Sequence, residues 1–561
     1  MKRLTANSIR GGRYLLAVFA GLLLAAAFPD IEIPGLAWIA PALLAAAALG
    51  RTRGEAFRLG YVGGIVFYLA SLYWLLLIPV RGYPLLGWVS LSAYLALYPA
   101  AWVWFLIAVQ RPQPKSPIAA TVATDLGPSA NFLGPVAGGL GTWGWRRRAG
   151  WAIAGGAAWV ALELLRGWLF TGFPWNPLGA SQYTLTPLIQ VAAVTGVYGI
   201  SFLVAWGSLC LVLAFVAMLR RPTTHSVWVG EIWLPMLAVV LLFTAGNRRL
   251  AHAPAPVAEL KVTCVQPSIP QLMIWDPSET TNRFGQLLRL TERALADHKP
   301  DLLLWPEAAL PNIDLAGFTA LTNLIRAHQV WMIFGGDDVV RRPGATGPTD
   351  CDYFNGAFLF DPEGRFAASY HKRRLVVFGE YVPLSRWLPF LKELTPIDGE
   401  FEAGSRPAQF VLRDPRVQTA PLICFEDIFP ELARASVAPE TDFLLNLTND
   451  GWFGEGAAQW QHAAGAVFRA VESGLPLLRC ANNGLTCWID AQGRIRQVFR
   501  DQTGSIHGAG FLAAKIPLLA RGAREATFYQ RHGDWFAWGC VVVALGALPW
   551  RALWRHAGRS I

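Results

Sequence analysis

Between Thr419 and Pro430 the chain reads Thr-Ala-Pro-Leu-Ile-Cys-Phe-Glu-Asp-Ile-Phe-Pro, an apolar run that ends on one cysteine and passes into an acidic turn. Leu422 and Ile423 read as the end of a buried strand, and Pro430 is tolerated as the first residue of a helix. Cys424 then falls on the sharp strand-to-helix turn that presents a nucleophile. A cysteine after a strand also serves simply as a small buried hydrophobe, so its meaning depends on what else reaches it. Two polar residues end other strand candidates: Glu307, at the tip of Asp301-Leu-Leu-Leu-Trp-Pro-Glu307, and Lys372, in Tyr370-His-Lys-Arg-Arg-Leu375. A thiol attacks an acyl carbon as thiolate and needs a base, which Glu307 can supply. The resulting oxyanion needs fixed positive charge or N–H donors, which Lys372 and the backbone N–H of Phe425 can supply. Alone, Glu307 reads as a strand-end acid facing water and Lys372 as part of a basic surface cluster. Their shared position at strand ends favours covalent acyl chemistry.

The elements that must position these groups are legible as a series. Glu259 to Val265 alternates as a strand, and 283 to 297 repeats Phe284, Leu287, Leu288, Leu290 and Ala294 at helical spacing. Asp301 to Trp305, Val330 to Gly336, Ala357 to Phe360, Phe410 to Leu412, Thr419 to Ile423, Phe443 to Leu447 and Cys487 to Asp490 are further strand candidates, with a turn at Asp361-Pro-Glu-Gly364. Strands alternating with helical stretches predict an α/β layered domain with helices covering its sheets.

Around this domain the composition changes. The 561 residues are 53% hydrophobic and only 15% charged, outside the range of ordinary soluble chains. Eight apolar spans are expected, at about 14–28, 34–50, 60–80, 86–109, 151–170, 190–219, 230–246 and 535–550. The formal charge of +10 would suit nucleic acid or anionic lipid, but many basic residues flank apolar spans. If all eight cross, one side carries Lys2, Arg3, Arg10, Arg13, Arg51, Arg53, Arg58, Arg111, Lys115, Arg146 to Arg148, Arg220, Arg221, Arg551, Arg555 and Arg559. On the other side, the short loop 81–85 carries only Arg81 and 171–189 carries no basic residue. This asymmetry predicts cytoplasmic termini and an external domain at 258–528. The first span reads as an anchor rather than a cleaved leader, since further spans follow at once. Glu163 and Arg166 share a helix face and need burial or an interface. The proline-rich stretch 110–150 reads as an irregular loop. Trp175 and Tyr183, in and after Thr171-Gly-Phe-Pro-Trp-Asn-Pro-Leu-Gly179, suit a headgroup belt or a rim around an acyl chain. The seven cysteines lack metal-ligand spacing; Cys480 and Cys487 either pair or pack.

These motifs resemble the apolipoprotein N-acyltransferases, the membrane-embedded branch of the nitrilase or carbon-nitrogen hydrolase superfamily. The matching segments are Leu304-Trp-Pro-Glu307, Tyr370-His-Lys372, Phe378-Gly-Glu-Tyr-Val-Pro383, Ile423-Cys-Phe-Glu426, Thr448-Asn-Asp-Gly-Trp-Phe-Gly454, Ala481-Asn-Asn-Gly484 and Gly172-Phe-Pro-Trp175. The resemblance implies a polytopic α-helical membrane protein with eight transmembrane helices and an inserted nitrilase-like αββα sandwich. Its parts would be a membrane domain at 1–250, a periplasmic catalytic domain at 251–528, and a final helix and cytoplasmic tail at 529–561. It further implies Glu307 as general base, Lys372 as transition-state stabiliser and Cys424 as acylated nucleophile. Glu380 and Glu426 would be supporting acids that orient the lysine and the incoming amine, and Phe425 the oxyanion N–H. Trp175, Tyr381, Trp452 and Phe453 would be substrate or lid residues, and 384–405 a mobile cover. The implied reaction moves an sn-1 acyl chain from phospholipid to a diacylglyceryl-modified apolipoprotein in the bacterial inner membrane. It uses a monomer, no cofactor, no metal and no nucleic acid. Val377 and Phe425 depart from the usual proline and tyrosine. The alternative is a membrane-tethered amidase acting on a small external amide.

Overall fold

The computed structural model describes residues 2–80, 83–110, 140, 143–220, 225–311, 315–342, 344, 350–385, 387–390 and 400–548. Two units form. Met1–Tyr73, Gly87–Arg249 and Asp534–Ile561 make the first; Trp74–Leu86 and Leu250–Gly533 make the second.

In the first unit the apolar runs become helices, because a helix satisfies its own backbone groups where water is absent. Four described stretches are long and apolar enough to cross a bilayer: Tyr83–Ala108, Trp145–Thr171, Val197–Met218 and Val229–Ala251. Eight spans were expected, and four reach this length and composition among the described residues. Gly11–Ala26, Pro34–Ala48, Thr186–Thr195 and Trp535–Ala547 are shorter. The 34–50 span divides into a 3-10 turn at Pro34–Trp38 and a helix at Ala40–Ala48. The 60–80 span ends early, as the helix Arg53–Ser71, which takes in Glu55 and Arg58. The 190–219 span begins only at Val197, after two one-turn helices closed by Gly196 at φ 67°. Small residues bring helices together: a Cβ on Gly21 would stand 2.4 Å from the carbonyl oxygen of Gly63. Glu163 and Arg166 are buried. Glu163 accepts from Trp159 Nε1 at 2.8 Å and from the Leu178 N–H at 2.6 Å, while Arg166 donates to the Tyr68 hydroxyl. Residues 111–139, which hold most of the expected irregular loop, lie outside the described residues, as do Arg221, Arg551, Arg555 and Arg559.

The second unit is built from strands. β1 (Ala258–Gln266), β2 (Leu302–Leu304), β3 (Trp331–Arg341), β4 (Cys351–Phe360) and β5 (Phe366–His371) lie in one sheet. β6 (Phe410–Arg413), β7 (Arg416–Ile423), β8 (Phe443–Thr448), β9 (Leu477–Ala481), β10 (Cys487–Ile489) and β11 (Ile495–Val498) make the other. β12 (Gly510–Leu518) returns to the first sheet, antiparallel to β1. The orders are β12-β1-β2-β3-β4-β5 and β11-β10-β9-β8-β7-β6. Each sheet has three parallel strands at its centre, β1-β2-β3 and β7-β8-β9, with antiparallel strands outside. Central strands covered on both faces read as continuous apolar runs, as Leu302–Leu304 and Phe443–Leu447 do.

The sheets pack face to face. Leu260, Val262 and Leu304 of one meet Ile423, Leu445 and Leu447 of the other in a single buried cluster. On the outer face of the first sheet, Leu303, Trp305 and Met332 pack on Leu287, Leu321 and Ile325 from the helices Thr280–Asp297 and Leu315–His328. The result is an αββα sandwich. The parallel strands β2 and β7 run in the sense that delivers Glu307 and Cys424 just beyond their carboxyl ends, where open α/β sheets place their chemistry. All described cysteines are free, and Cys480 and Cys487 are packed in the core rather than paired.

Candidate active site

Glu307 follows β2 across Trp305-Pro306. Trp305 is anchored by its indole N–H on Thr291 Oγ1 at 2.9 Å, and Pro306 by its carbonyl, which accepts from Gly335 N at 3.1 Å. Lys372 follows β5, with its backbone N–H on the Asn355 carbonyl at 2.8 Å. Its side chain is 1% exposed, so its charge requires partners. Nζ donates to Glu307 Oε1 at 3.0 Å and to Glu380 Oε1 at 2.8 Å. Asn355 Nδ2 stands 2.9 Å from the same two oxygens and ties the carboxylates together. Burial alone would lower the ammonium's pKa; Glu307 and Glu380 outweigh it and raise it well above the usual lysine value. Glu307 Oε2 is buried and receives no hydrogen bond from the described residues.

Cys424 sits at φ 54°, in the left-handed region, at the junction of β7 and a 3-10 turn, Cys424–Ile428. A non-glycine residue there costs about 1–3 kcal/mol and persists only when its surroundings impose it. Here Asn446 Nδ2 donates to the Cys424 carbonyl at 2.7 Å, and Glu426 Oε2 accepts the Ile423 N–H at 2.7 Å. Burial, then Glu307, raise the thiol's pKa well above its usual value, against the lowering effect of Lys372. The resting sulfur is therefore a thiol, and a base must take its proton as it attacks.

The two supporting acids differ. Glu380 holds Lys372, and its Oε2 accepts the Val376 N–H at 2.8 Å. Glu426 is fully buried, and both of its oxygens are occupied. Oε1 accepts the Arg373 and Arg374 N–H groups at 2.7 and 3.0 Å; Oε2 accepts the Tyr370 hydroxyl at 2.8 Å besides Ile423. It braces the Cys424 turn against the end of β5, with its four acceptor positions taken by these donors.

Phe425 packs edge-on against Phe429 with centroids 5.2 Å apart, and Lys372 Nζ lies 5.7 Å from its ring centre. Tyr381 closes a turn, its carbonyl accepting the Phe378 N–H at 2.8 Å; Val377 pairs with Tyr381 in that turn. Trp452 and Phe453 lie on the 3-10 turn Asp450–Phe453, with Phe453 edge-on to Trp74 at 4.6 Å. Trp175 belongs to the first unit, where it is buried and stacked on Phe173. Leu384, Trp387, Leu388 and Phe390 are exposed, while residues 386 and 391–399 of the expected cover lie outside the described residues. Sequence reasoning missed Asn355 and its neighbour Asp337, which oppose each other in the β3–β4 ladder. Burial first, then Glu380 and Glu307, push Asp337 up to about 7.

A buried carboxylate, lysine and cysteine gathered at the carboxyl ends of such a sandwich define a carbon-nitrogen hydrolase, and that family's model matches residues 261–505. The model of the apolipoprotein N-acyltransferase N-terminal domain matches residues 20–211. An apolipoprotein N-acyltransferase of Geobacter metallireducens is 36% identical over 96% of this chain and 95% of its own length. One from Vibrio vulnificus is 29% identical over 96% of this chain and 97% of its own. Among solved structures, an amidase from Nesterenkonia sp. aligns at 18% identity and a TM-score of 0.34, covering 51% of this chain and 99% of that one. The chain belongs to the apolipoprotein N-acyltransferase family: a multi-pass membrane protein carrying an acyl-transfer enzyme of the carbon-nitrogen hydrolase superfamily.

Proposed function

We propose that the protein moves the sn-1 acyl chain of a membrane phospholipid, through a thioester on Cys424, to the α-amine of the diacylglyceryl-cysteine that begins an apolipoprotein. The observation that carries this reading is Glu307 Oε2, which is buried and receives no hydrogen bond from the described residues. Its sister oxygen is fixed by Lys372 and Asn355, and the cluster is near enough to Cys424 to shift its protonation. In the first half-reaction the Cys424 proton passes to Glu307 while Sγ attacks the ester carbonyl. The oxyanion is met by the Lys372 ammonium and the Phe425 N–H. As the intermediate collapses, the C–O bond to glycerol breaks and Glu307 returns the proton to the departing lysophospholipid. In the second, the neutral amine attacks the thioester and gives a proton to Glu307. The C–S bond then breaks, and the proton returns to sulfur. An α-amine, with a pKa near 8, is partly neutral at physiological pH. Holding both lipids by their tails in the bilayer replaces a search through water.

The catalytic unit is placed on the periplasmic side of the inner membrane with both termini cytoplasmic, as the Lys/Arg asymmetry favours. Gly11–Ala26, Pro34–Ala48, Arg53–Ser71 and Trp535–Ala547 would complete eight crossings with flanking residues, along the boundaries 1–250, 251–528 and 529–561. Trp175, Tyr381, Trp452 and Phe453 are assigned to substrate contact, and the enzyme acts as a monomer. Purified protein incubated with phospholipid alone should gain one acyl mass on Cys424 by intact-protein mass spectrometry. An unmodified Cys424 during turnover would end this reading.

A further inference from the structure

Four ionisable side chains near the nucleophile turn take no part in the steps above. Asp427 lies in the Cys424 turn, Asp450 opens the turn carrying Trp452, His462 stands on the helix Ala458–Ser473, and Arg479 is on β9. All four are fully buried. His462 Nε2 lies 2.7 Å from Asp427 Oδ1, and Nδ1 lies 2.9 Å from Asp450 Oδ1. Arg479 pairs with Asp427 Oδ2, and its other terminal nitrogen stands 3.4 Å from Asp450 Oδ2 and 3.1 Å from His462 Nδ1. Thr448 Oγ1 donates to Asp450 Oδ1 at 3.2 Å.

A carboxylate offers only lone pairs, so the two carboxylates facing the ring nitrogens favour the imidazolium, while Arg479, which also approaches Nδ1, opposes it. Two cations then balance two anions, the condition under which buried charge is tolerated. Burial and Arg479 act against the charge on His462, but Asp427 and Asp450 outweigh them and its pKa lies above the usual histidine value.

We propose that His462 is a positioning residue, which ties the turn bearing Cys424 to the loop bearing Trp452 so that the nucleophile and the loop keep one geometry. The loop end of this tie is itself fixed, because Gln459 Nε2 donates to the carbonyls of Asp450 and Gly454 at 3.2 and 2.6 Å. A nucleophile displaced by about 1 Å loses about 10²-fold in rate, so holding the turn has a direct kinetic consequence. The inference rests on the acylation of Cys424 proposed above.

The test is the rate of thioester formation on Cys424 per folded enzyme, timed by intact-protein mass spectrometry with phospholipid alone. His462→Gln removes one cation, and the rate should fall at least about tenfold while the phospholipid KM stays within about twofold, which separates lost geometry from lost binding. Adding Asp427→Asn removes the carboxylate left without a counter-charge and should recover most of the rate. Asp427→Asn alone leaves Asp450 and Arg479 facing the imidazolium, with the Cys424 and Cys487 thiols near Arg479. With one anion gone the imidazolium loses its proton more readily, so the rate should decline at a lower pH than in the wild type as pH rises. A His462→Gln enzyme that acylates at the wild-type rate overturns the inference. So does an Asp427→Asn pH profile that superposes on the wild type's, which decides the matter if His462→Gln does not fold. Wild-type Cys424 that accepts no acyl group overturns the underlying reaction instead.

Discussion

Oε1 of Glu307 takes hydrogen bonds from Lys372 and Asn355, whereas Oε2, equally enclosed, receives none from the described residues. That inequality suits a base whose one free lone pair is kept for a proton in transit. Glu307→Gln keeps the shape and removes the basicity; thioester formation should slow roughly 10²- to 10⁴-fold, measured by single-turnover acylation. Asp337 shows the opposite effect of the same charges. Its folded value near 7 stands above the ordinary 3.8, so the folded state holds the proton more tightly. The stability this contributes is present at low pH and is lost as pH rises through about 7. Asp337→Asn should therefore stabilise the protein at pH 8 by at most about 4 kcal/mol, with little effect at pH 4, read from denaturant unfolding at the two values. Glu307 and Cys424 were legible because each ends an apolar run, and Lys372 because it follows a strand candidate in Tyr370-His-Lys372. Asn355 and Asp337 were not, since each sits within its strand, where a polar residue carries no sign of which face it occupies.

At the scale of elements the site depends on how closely strand ends approach. Gly335 in β3 passes the Glu307 turn so tightly that a Cβ would stand 2.6 Å from the Pro306 carbonyl oxygen and 2.7 Å from Glu307 Cα. Both are backbone atoms, so Gly335→Ala must move the base rather than a flexible side chain. Acylation should fall about 10²-fold with the fold retained, checked by kinetics beside circular dichroism. Glu426 does the corresponding work on the other sheet, joining the Cys424 turn to the end of β5 through four donors. Glu426→Gln leaves some of these donors without an acceptor and should lower stability by about 3 kcal/mol while loosening the nucleophile turn, measured by unfolding midpoint and acylation rate together. The continuous apolar strands β2, β7 and β8 were readable from sequence. β11 and β12 were not, because Ile495–Val498 and Gly510–Leu518 are short or half-exposed and their pairing with β10 and β1 is supplied by the rest of the sheet. For Glu426 the motif gives a residue type and a place in the chain, but not which backbone N–H groups will surround it.

For the whole molecule the open quantity is how many helices cross the membrane and which way. At about 1.5 Å per residue, a crossing of about 30 Å needs about 20 residues. Four described stretches meet that length and are apolar enough, while Gly11–Ala26, Pro34–Ala48 and Trp535–Ala547 fall short and Arg53–Ser71 starts with charged residues, so these would have to borrow flanks. Hydropathy windows in the sequence ran past the real helix ends, because a proline or glycine that ends a helix does not lower average hydropathy. The proposed orientation rests on where Lys and Arg lie. Arg248 and Arg249, in the last turn of His225–Ala251, are the exception, and there the carbonyls at the helix end favour cations. The proposed topology puts residue 253 outside the cytoplasm and residue 54 within it. Both positions are exposed, and a Cβ on Gly54 meets open space. The described native cysteines are buried apart from the half-buried Cys351, so their background should be low. In intact cells opened only at the outer membrane, a membrane-impermeant maleimide should label Ala253→Cys at once and Gly54→Cys only after the inner membrane is permeabilised. The reverse pattern would put Cys424 on the cytoplasmic side, away from the lipoproteins it is proposed to modify. Equal labelling of both would mean that the membrane unit crosses an even number of times between them.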